Sequence, residues 1–332
     1  MTPVKSIARR ALQVFAGREG DRSVDCVAAV DDTPLLDRGQ KLLFVRGHQR
    51  SGTNWTCALL NLHPKICCMG EFHLEQIAVP AHRLQTVCTW QFSTREPVRS
   101  AISKGIHDLV RGCMVAGCAP RNPGAEWLGD RTPRRLMDMV PGGRYFWIVR
   151  DGRDVLVSFS FHHLNAGPSA IERCFPRDIA EWLIEKSEAF REDPTIFDRS
   201  PELLLGNETW VRYVATEWGR WYWDDRRAAD ELNSTGPEPV VMELSYEKLH
   251  EDPDGERVRM YRFLGLDPSQ ARPLSEESRT TAGYTKNDPT QFHRKGRVGD
   301  WQHYFTDEVS DWFKRAAGEA LVRAGYAEDN DW

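Results

Sequence analysis

From Gly47 to Trp55 the chain reads Gly-His-Gln-Arg-Ser-Gly-Thr-Asn-Trp, a loop with the glycine spacing of a phosphate cradle but without the lysine of a nucleoside-triphosphate loop. In the pattern G-x-x-x-x-G-K-[ST], Gly47 and Gly52 are correctly spaced, while Thr53 and Asn54 stand at the Lys and Ser/Thr positions. Backbone N–H groups between Gly47 and Thr53, with the N-terminal end of the helix that follows, suit a phosphate-type group. Arg50 adds a fixed positive charge. Gly52 permits close backbone approach, Thr53 and Asn54 offer hydrogen bonds, and Trp55 offers a flat face for an adenine base. The reach toward a γ-phosphate and the hydroxyl for magnesium are missing.

A second cation ends the run Tyr145-Phe-Trp-Ile-Val-Arg150, and Ser158 follows two turns into the next helix. Ligands of open α/β sheets sit beside carboxyl strand ends, so Arg150 and the Ser158 hydroxyl suit a second phosphate distinct from the first. Arg294-Lys295-Gly296-Arg297-Val298-Gly299-Asp300-Trp301 gathers cations and glycines in an acidic chain, as a phosphate clamp requires. Taken alone, that stretch also reads as a solvated basic loop.

These residues need elements to hold them. Runs rich in β-branched and aromatic residues predict strands at Leu42 to Arg46, Tyr145 to Arg150 and Val240 to Ser245. Helical patterns separate them: Asn54 to Leu62, ending near His63-Pro64, then Val98 to Met114, Gly152 to Leu164, Arg177 to Arg191, Thr209 to Leu232 and Asp307 to Ala324. The alternation predicts an α/β fold, a central parallel sheet flanked by helices on both faces in a single domain. Its expected span is 41–325, with an N-terminal extension, 1–40, and a C-terminal tail, 326–332. Asn233 to Pro239 is a turn cluster within that domain. Trp210, Val214, Trp218 and Trp221 form a stripe at helical spacing that reads as core, leaving Tyr222 or Trp223 to face a pocket.

Composition narrows the partners. The 332 residues are 40% hydrophobic, enough for a large core, and the formal charge of −5 argues against a nucleic-acid binder. Eight cysteines (26, 57, 67, 68, 88, 113, 118 and 174) form no C-x-x-C unit and read as free thiols in a reducing, cytoplasmic setting. There is no membrane-length apolar run. Residues 4 to 15 alternate Val4, Ile7, Leu12 and Phe15 with Lys5, Arg9 and Arg10, which suits either a packed helix or contact with a membrane surface.

Together the three phosphate elements resemble those of sulfotransferases that use 3′-phosphoadenosine-5′-phosphosulfate (PAPS). Arg50-Ser51-Gly52-Thr53-Asn54-Trp55 is similar to that family's 5′-phosphosulfate loop. Arg150 through Ser158 resembles its 3′-phosphate motif, and Arg294-Lys295-Gly296 with Gly299-Asp300-Trp301 its C-terminal motif. Tyr246-Glu247-Lys248 resembles the segment whose tyrosine lies near the adenine. The resemblance implies a P-loop-like sulfotransferase architecture, PAPS as donor and 3′,5′-adenosine bisphosphate (PAP) as product. It also implies transfer to a hydroxyl or amine of a small-molecule or carbohydrate acceptor without a metal. A sulfuryl group carries less charge than a phosphoryl group, so arginine, lysine and backbone donors suffice for it. A P-loop kinase or hydrolase, and a non-catalytic nucleotide binder of the same fold, are the rival readings.

The base differs from the branch that uses histidine in a Thr-His-Leu segment, because here that stretch is Gly129-Asp130-Arg131-Thr132-Pro133. Tyrosylprotein and many bacterial sulfotransferases have instead a glutamate after His-Pro and Gly-Glu patterns and a Lys-Thr-Pro segment. His63-Pro64, Gly70-Glu71 and Arg131-Thr132-Pro133 resemble these features, with arginine for lysine. Glu71 is the expected base, Arg50 and Arg131 the groups that stabilise developing charge, and His73 a second candidate as base or as orienter of the carboxylate. His48, His162 and His163 read as structural or acceptor-side residues. The family's short dimerisation motif is not evident around Phe305 to Asp311, which leaves the oligomeric state open.

Overall fold

The computed structural model describes residues 39–77, 80, 95–131, 142–275 and 297–332. Its centre is a five-stranded sheet of β1 (Lys41–Arg46), β2 (Ile66–Cys68), β3 (Trp127–Asp130), β4 (Arg144–Val149) and β5 (Val241–Ser245). The order is β2-β3-β1-β4-β5 and every pairing is parallel. β1, KLLFVR, and β4, RYFWIV, lack polar alternation because both of their faces are covered. Their side chains divide by the period of two. Leu42, Phe44, Tyr145, Trp147 and Val149 enter one core, whereas Leu43, Val45, Phe146 and Ile148 enter the other.

The second core is closed by α1 (Thr53–Leu60), α8 (Tyr246–Glu251) and α9 (Pro253–Phe263). The first is closed by α2 (Arg95–Cys118), α3 (Gly152–Leu164), α4 (Pro168–Cys174), α5 (Arg177–Glu192), α6 (Ile196–Arg199), α7 (Glu208–Ser234) and α10 (Asp307–Arg323). α7 buries Trp210, Val214 and Trp218, so the aromatic stripe is core. Tyr222 is buried with it, and Trp223 lies at the surface. No described helix is long and apolar enough to cross a membrane.

Two strands went unpredicted, β2 and β3, of three and four residues. Runs that short carry no measurable periodicity. α1 stops at Leu60 with Asn61 as its cap, earlier than the Leu62 expected from Pro64. Residues 326–332, expected as a tail, are packed onto the domain. Tyr326 donates its hydroxyl to Glu247 at 2.7 Å, and the Arg153 guanidinium lies between the rings of Trp301 (3.8 Å) and Trp332 (4.5 Å). Residues 1–38, with the helix expected over 4 to 15, lie outside the described residues, as do Thr132, Pro133 and the Arg294-Lys295-Gly296 clamp.

Candidate active site

The loop between β1 and α1 turns in a conformation that few residues tolerate. Arg50 has φ 71° and Gly52 φ 98°, and a Cβ on Gly52 would lie 2.5 Å from the Tyr246 ring. A Cβ on Gly47 would meet the Ile148 carbonyl at the same distance. α1 begins at Thr53 with no side-chain cap, so its first turn faces the loop's hollow with its positive dipole end. Ser51 Oγ and Asn54 Oδ1 are buried there with no hydrogen-bond partner among the described residues, and Ser51 is 1% exposed. Buried polar atoms are satisfied in nearly all folded proteins, so these two atoms beside a helix N-terminus suit an anionic group.

Arg150, at the end of β4, is also buried. Its guanidinium stacks 4.3 Å from the centre of the Tyr246 ring and donates to the carbonyls of Arg50 (3.1 Å) and Arg297 (3.0 Å). Its Nε is buried and unbonded among the described residues. Arg50 Nε donates to Ser158 Oγ at 3.1 Å, which joins the two expected phosphate elements directly. Asp154, one turn into α3, accepts from the N–H groups of Gly299 (2.8 Å) and Trp301 (2.9 Å) and lies 3.7 Å from Arg150. Burial raises its carboxyl, against the pull of Arg150 and those two amides. The loop at 297–301 is thereby docked onto the Arg150 side of the sheet.

Beyond β2 a second cluster forms around Glu71. Met69 N donates to Gly129 O (2.9 Å), Phe72 N donates to Asp130 Oδ1 (3.1 Å), and the Phe72 ring packs against Gly117 of α2. Anchored on both sides, Glu71 approaches His73 Nε2 at 3.3 Å and Arg131 Nη1 at 3.7 Å. The other ring nitrogen of His73 lies 3.4 Å from Glu75, whose second carboxylate oxygen is buried without a partner among the described residues. A chain Arg131–Glu71–His73–Glu75 results.

On the opposite side of the loop, His48 packs edge-on to Trp221 (5.2 Å) and Phe159 (6.0 Å). Burial depresses His48 to about 4, His162 to about 3 and His163 to about 4, and the charge of Arg50 adds to the last two. All three are neutral imidazoles at pH 7.

A profile of the sulfotransferase domain matches residues 40–325. The chain belongs to the sulfotransferase family. It is 23% identical over 244 residues to protein-tyrosine sulfotransferase A of Caenorhabditis elegans, covering 68% of this chain and 62% of that protein. Human sulfotransferase 1E1 is 22% identical over 188 residues, 52% of this chain and 53% of that one. Both are thus matched over less than two thirds of their length. Among solved structures, mouse sulfotransferase SULT7A1 complexed with PAP aligns with a TM-score of 0.42 at 15% identity, covering 86% of this chain and 85% of that one.

Within the chain, Arg50, Ser51, Gly52, Thr53, Asn54, Arg150, Ser158 and Tyr246 gather at the carboxyl ends of β1 and β4, while Glu71, His73 and Arg131 follow β2 and β3. Trp55 is placed differently from its expected role. Its ring is fully buried, edge-on to Tyr246 (5.9 Å) and His250 (6.1 Å), and presents no open face to a base. It buttresses Tyr246 instead. Asp130 and Asp154 carry no local signal because each acts on a residue distant in sequence, Phe72 and Gly299 with Trp301, while Glu75 acts on His73 two positions away and no motif marks it. Only the Asp-x-x-Asp spacing after Arg150, in Asp151 and Asp154, hinted at a helix start with a further carboxylate.

Proposed function

We propose that this protein moves the sulfuryl group of PAPS to a hydroxyl or amine of a small-molecule or carbohydrate acceptor, releasing PAP. The observation that carries the reading is the cradle itself: buried, unpartnered Ser51 Oγ and Asn54 Oδ1 at an uncapped helix N-terminus, beside Arg50 and Arg150. Ser51, Gly52, Thr53 and Asn54 would hold the 5′-phosphosulfate, and Arg150, Ser158 and the Arg294-Lys295-Gly296 segment the 3′-phosphate. Tyr246 forms the wall behind Gly52.

Glu71 takes the acceptor proton in this reading. Arg131 and His73 each address one of its carboxylate oxygens, which fixes its orientation, and Glu75 backs His73. Arg50 and Arg131 offset the charge that builds on the transferred group. With Thr53 and Asn54 where an ATPase has Lys and Ser/Thr, the loop supports transfer without a metal. The free described thiols support a reducing, cytoplasmic setting.

Glu71→Gln tests the assignment. Turnover with PAPS and a responsive acceptor should fall by about 10²–10⁴-fold, while PAP binding measured by calorimetry stays unchanged. Full turnover in the variant would remove Glu71 from the role. Magnesium-dependent ATP hydrolysis without sulfuryl transfer would instead favour a P-loop kinase or hydrolase.

A further inference from the structure

The edge strand β2 carries adjacent cysteines that point to opposite faces, and each meets a cysteine of the helix covering that face. Cys68 enters the α1 core and Cys67 the α2 core. The Cys57 thiol of α1 donates to Cys68 O at 3.1 Å, and the Cys57 and Cys68 thiols both reach the Met69 carbonyl, at 3.6 and 4.0 Å. On the other face the Cys67 thiol donates to Cys118 O at 3.6 Å. Asn61, the cap of α1, fixes the first pair. Its amide donates to Cys68 O (2.7 Å) and to Cys57 Sγ (3.7 Å), and its oxygen accepts from Cys68 N (2.7 Å).

An open cavity of about 570 Å³ runs beside this pair, and Cys57, Cys67 and Cys68 line it with Asn54, Gly70 and Arg131. Cys118 does not line it and is fully buried. The two pairs are therefore unequal: both Cys57 and Cys68 line the cavity, whereas of Cys67 and Cys118 only Cys67 does.

We propose that Cys57 and Cys68 form a peroxide-reactive dithiol site, with Cys57 as the attacked thiol and Cys68 as the resolving one. The Cys57 thiolate attacks one oxygen of hydrogen peroxide, giving Cys57–SOH and hydroxide. The Cys68 thiol then displaces water from the sulfenic acid to leave a Cys57–Cys68 disulfide. Cys57 sits lower than an ordinary thiol through its interaction with Cys68, helped by the charge of Arg131, while the interaction with Cys57 and then burial raise Cys68, in line with that division of roles. The disulfide would tie α1, four residues after Thr53, to the strand end three residues before Glu71. Oxidation therefore slows sulfuryl transfer, a consequence that rests on the function proposed above.

The test is peptide mapping of the full chain after brief peroxide treatment, alkylation and digestion without reductant. A linked peptide bearing Cys57 and Cys68 should exceed every other cysteine pair by about ten-fold or more. Cys68→Ser should leave a dimedone-reactive sulfenic acid at Cys57, and Cys57→Ser should abolish both products. A link at Cys67–Cys118, or earlier oxidation of Cys113 or Cys174, overturns the proposal, as does Cys57 that remains alkylatable. Mapping of the wild-type chain needs neither a folded variant nor sulfuryl transfer, so failure of the site and failure of the transfer assignment are separate results. Loss of transfer on oxidation and its return with reductant is read in a parallel assay.

Discussion

Arg50 and Ser158 are 108 positions apart, yet Arg50 Nε donates to Ser158 Oγ. A donor that uses Arg50 at one phosphate and Ser158 at another must exchange this bond for two of its own. Ser158→Ala removes a hydrogen bond to a charged ligand, worth about 1.5–3 kcal/mol, so PAP should bind at least about ten-fold more weakly by calorimetric titration. Unchanged affinity would take Ser158 out of the site. At this scale the sequence was most informative for charged and hydroxyl groups beside glycines, whose chemistry has few other uses. It was least informative for Trp55. An aromatic ring serves equally as platform or as core, and only the proximity of Tyr246 and His250 shows that this one is enclosed.

The elements explain how such groups are held. α3 begins at the Asp151 cap, whose side chain accepts from Arg153 N, and its boundaries, Gly152 to Leu164, coincide with those expected. Its third residue, Asp154, has a task that no local pattern reveals, because its partners are the backbone amides of Gly299 and Trp301. Asp154→Ala should speed hydrogen exchange at 299–303 and weaken PAP binding, since the loop whose Arg297 carbonyl holds Arg150 loses its anchor. Unaltered exchange there would show that other contacts hold the loop. On β1–α1, Gly52→Ala meets both a positive φ and the Tyr246 ring. The φ alone costs roughly 1–2 kcal/mol, so the melting temperature should drop and PAP binding be lost together. Full retention of both would mean that the loop adopts another turn. Strands β2 and β3 stayed hidden because three and four residues are too few to show a pattern.

Across the whole molecule the alternation of strand and helix was legible, because each central strand is buried on both faces and reads as an unbroken apolar run. The charge balance inside was not. His48, His162 and His163 lie in an aromatic layer with Phe159, Trp210 and Trp221, and burial depresses all three below their ordinary value of 6.5. The unfolded chain takes up protons at these residues as pH falls through 6.5, while the folded protein resists until about 4. The unfolded state then binds more protons, so stability must fall as pH falls across that window. Asp151 and Asp154, raised by burial, act in the opposite sense, because the folded protein protonates them before the unfolded chain does. The three histidines all act in one sense and begin to titrate in the unfolded chain at 6.5, so they set the direction from pH 6.5 downward. The melting temperature should therefore decline between pH 7 and 5, and the double variant His162→Gln/His163→Gln should flatten that decline. A melting temperature constant over this range in the wild-type chain would mean that these imidazoles are solvated, and that the layer beside Arg50 is open to water.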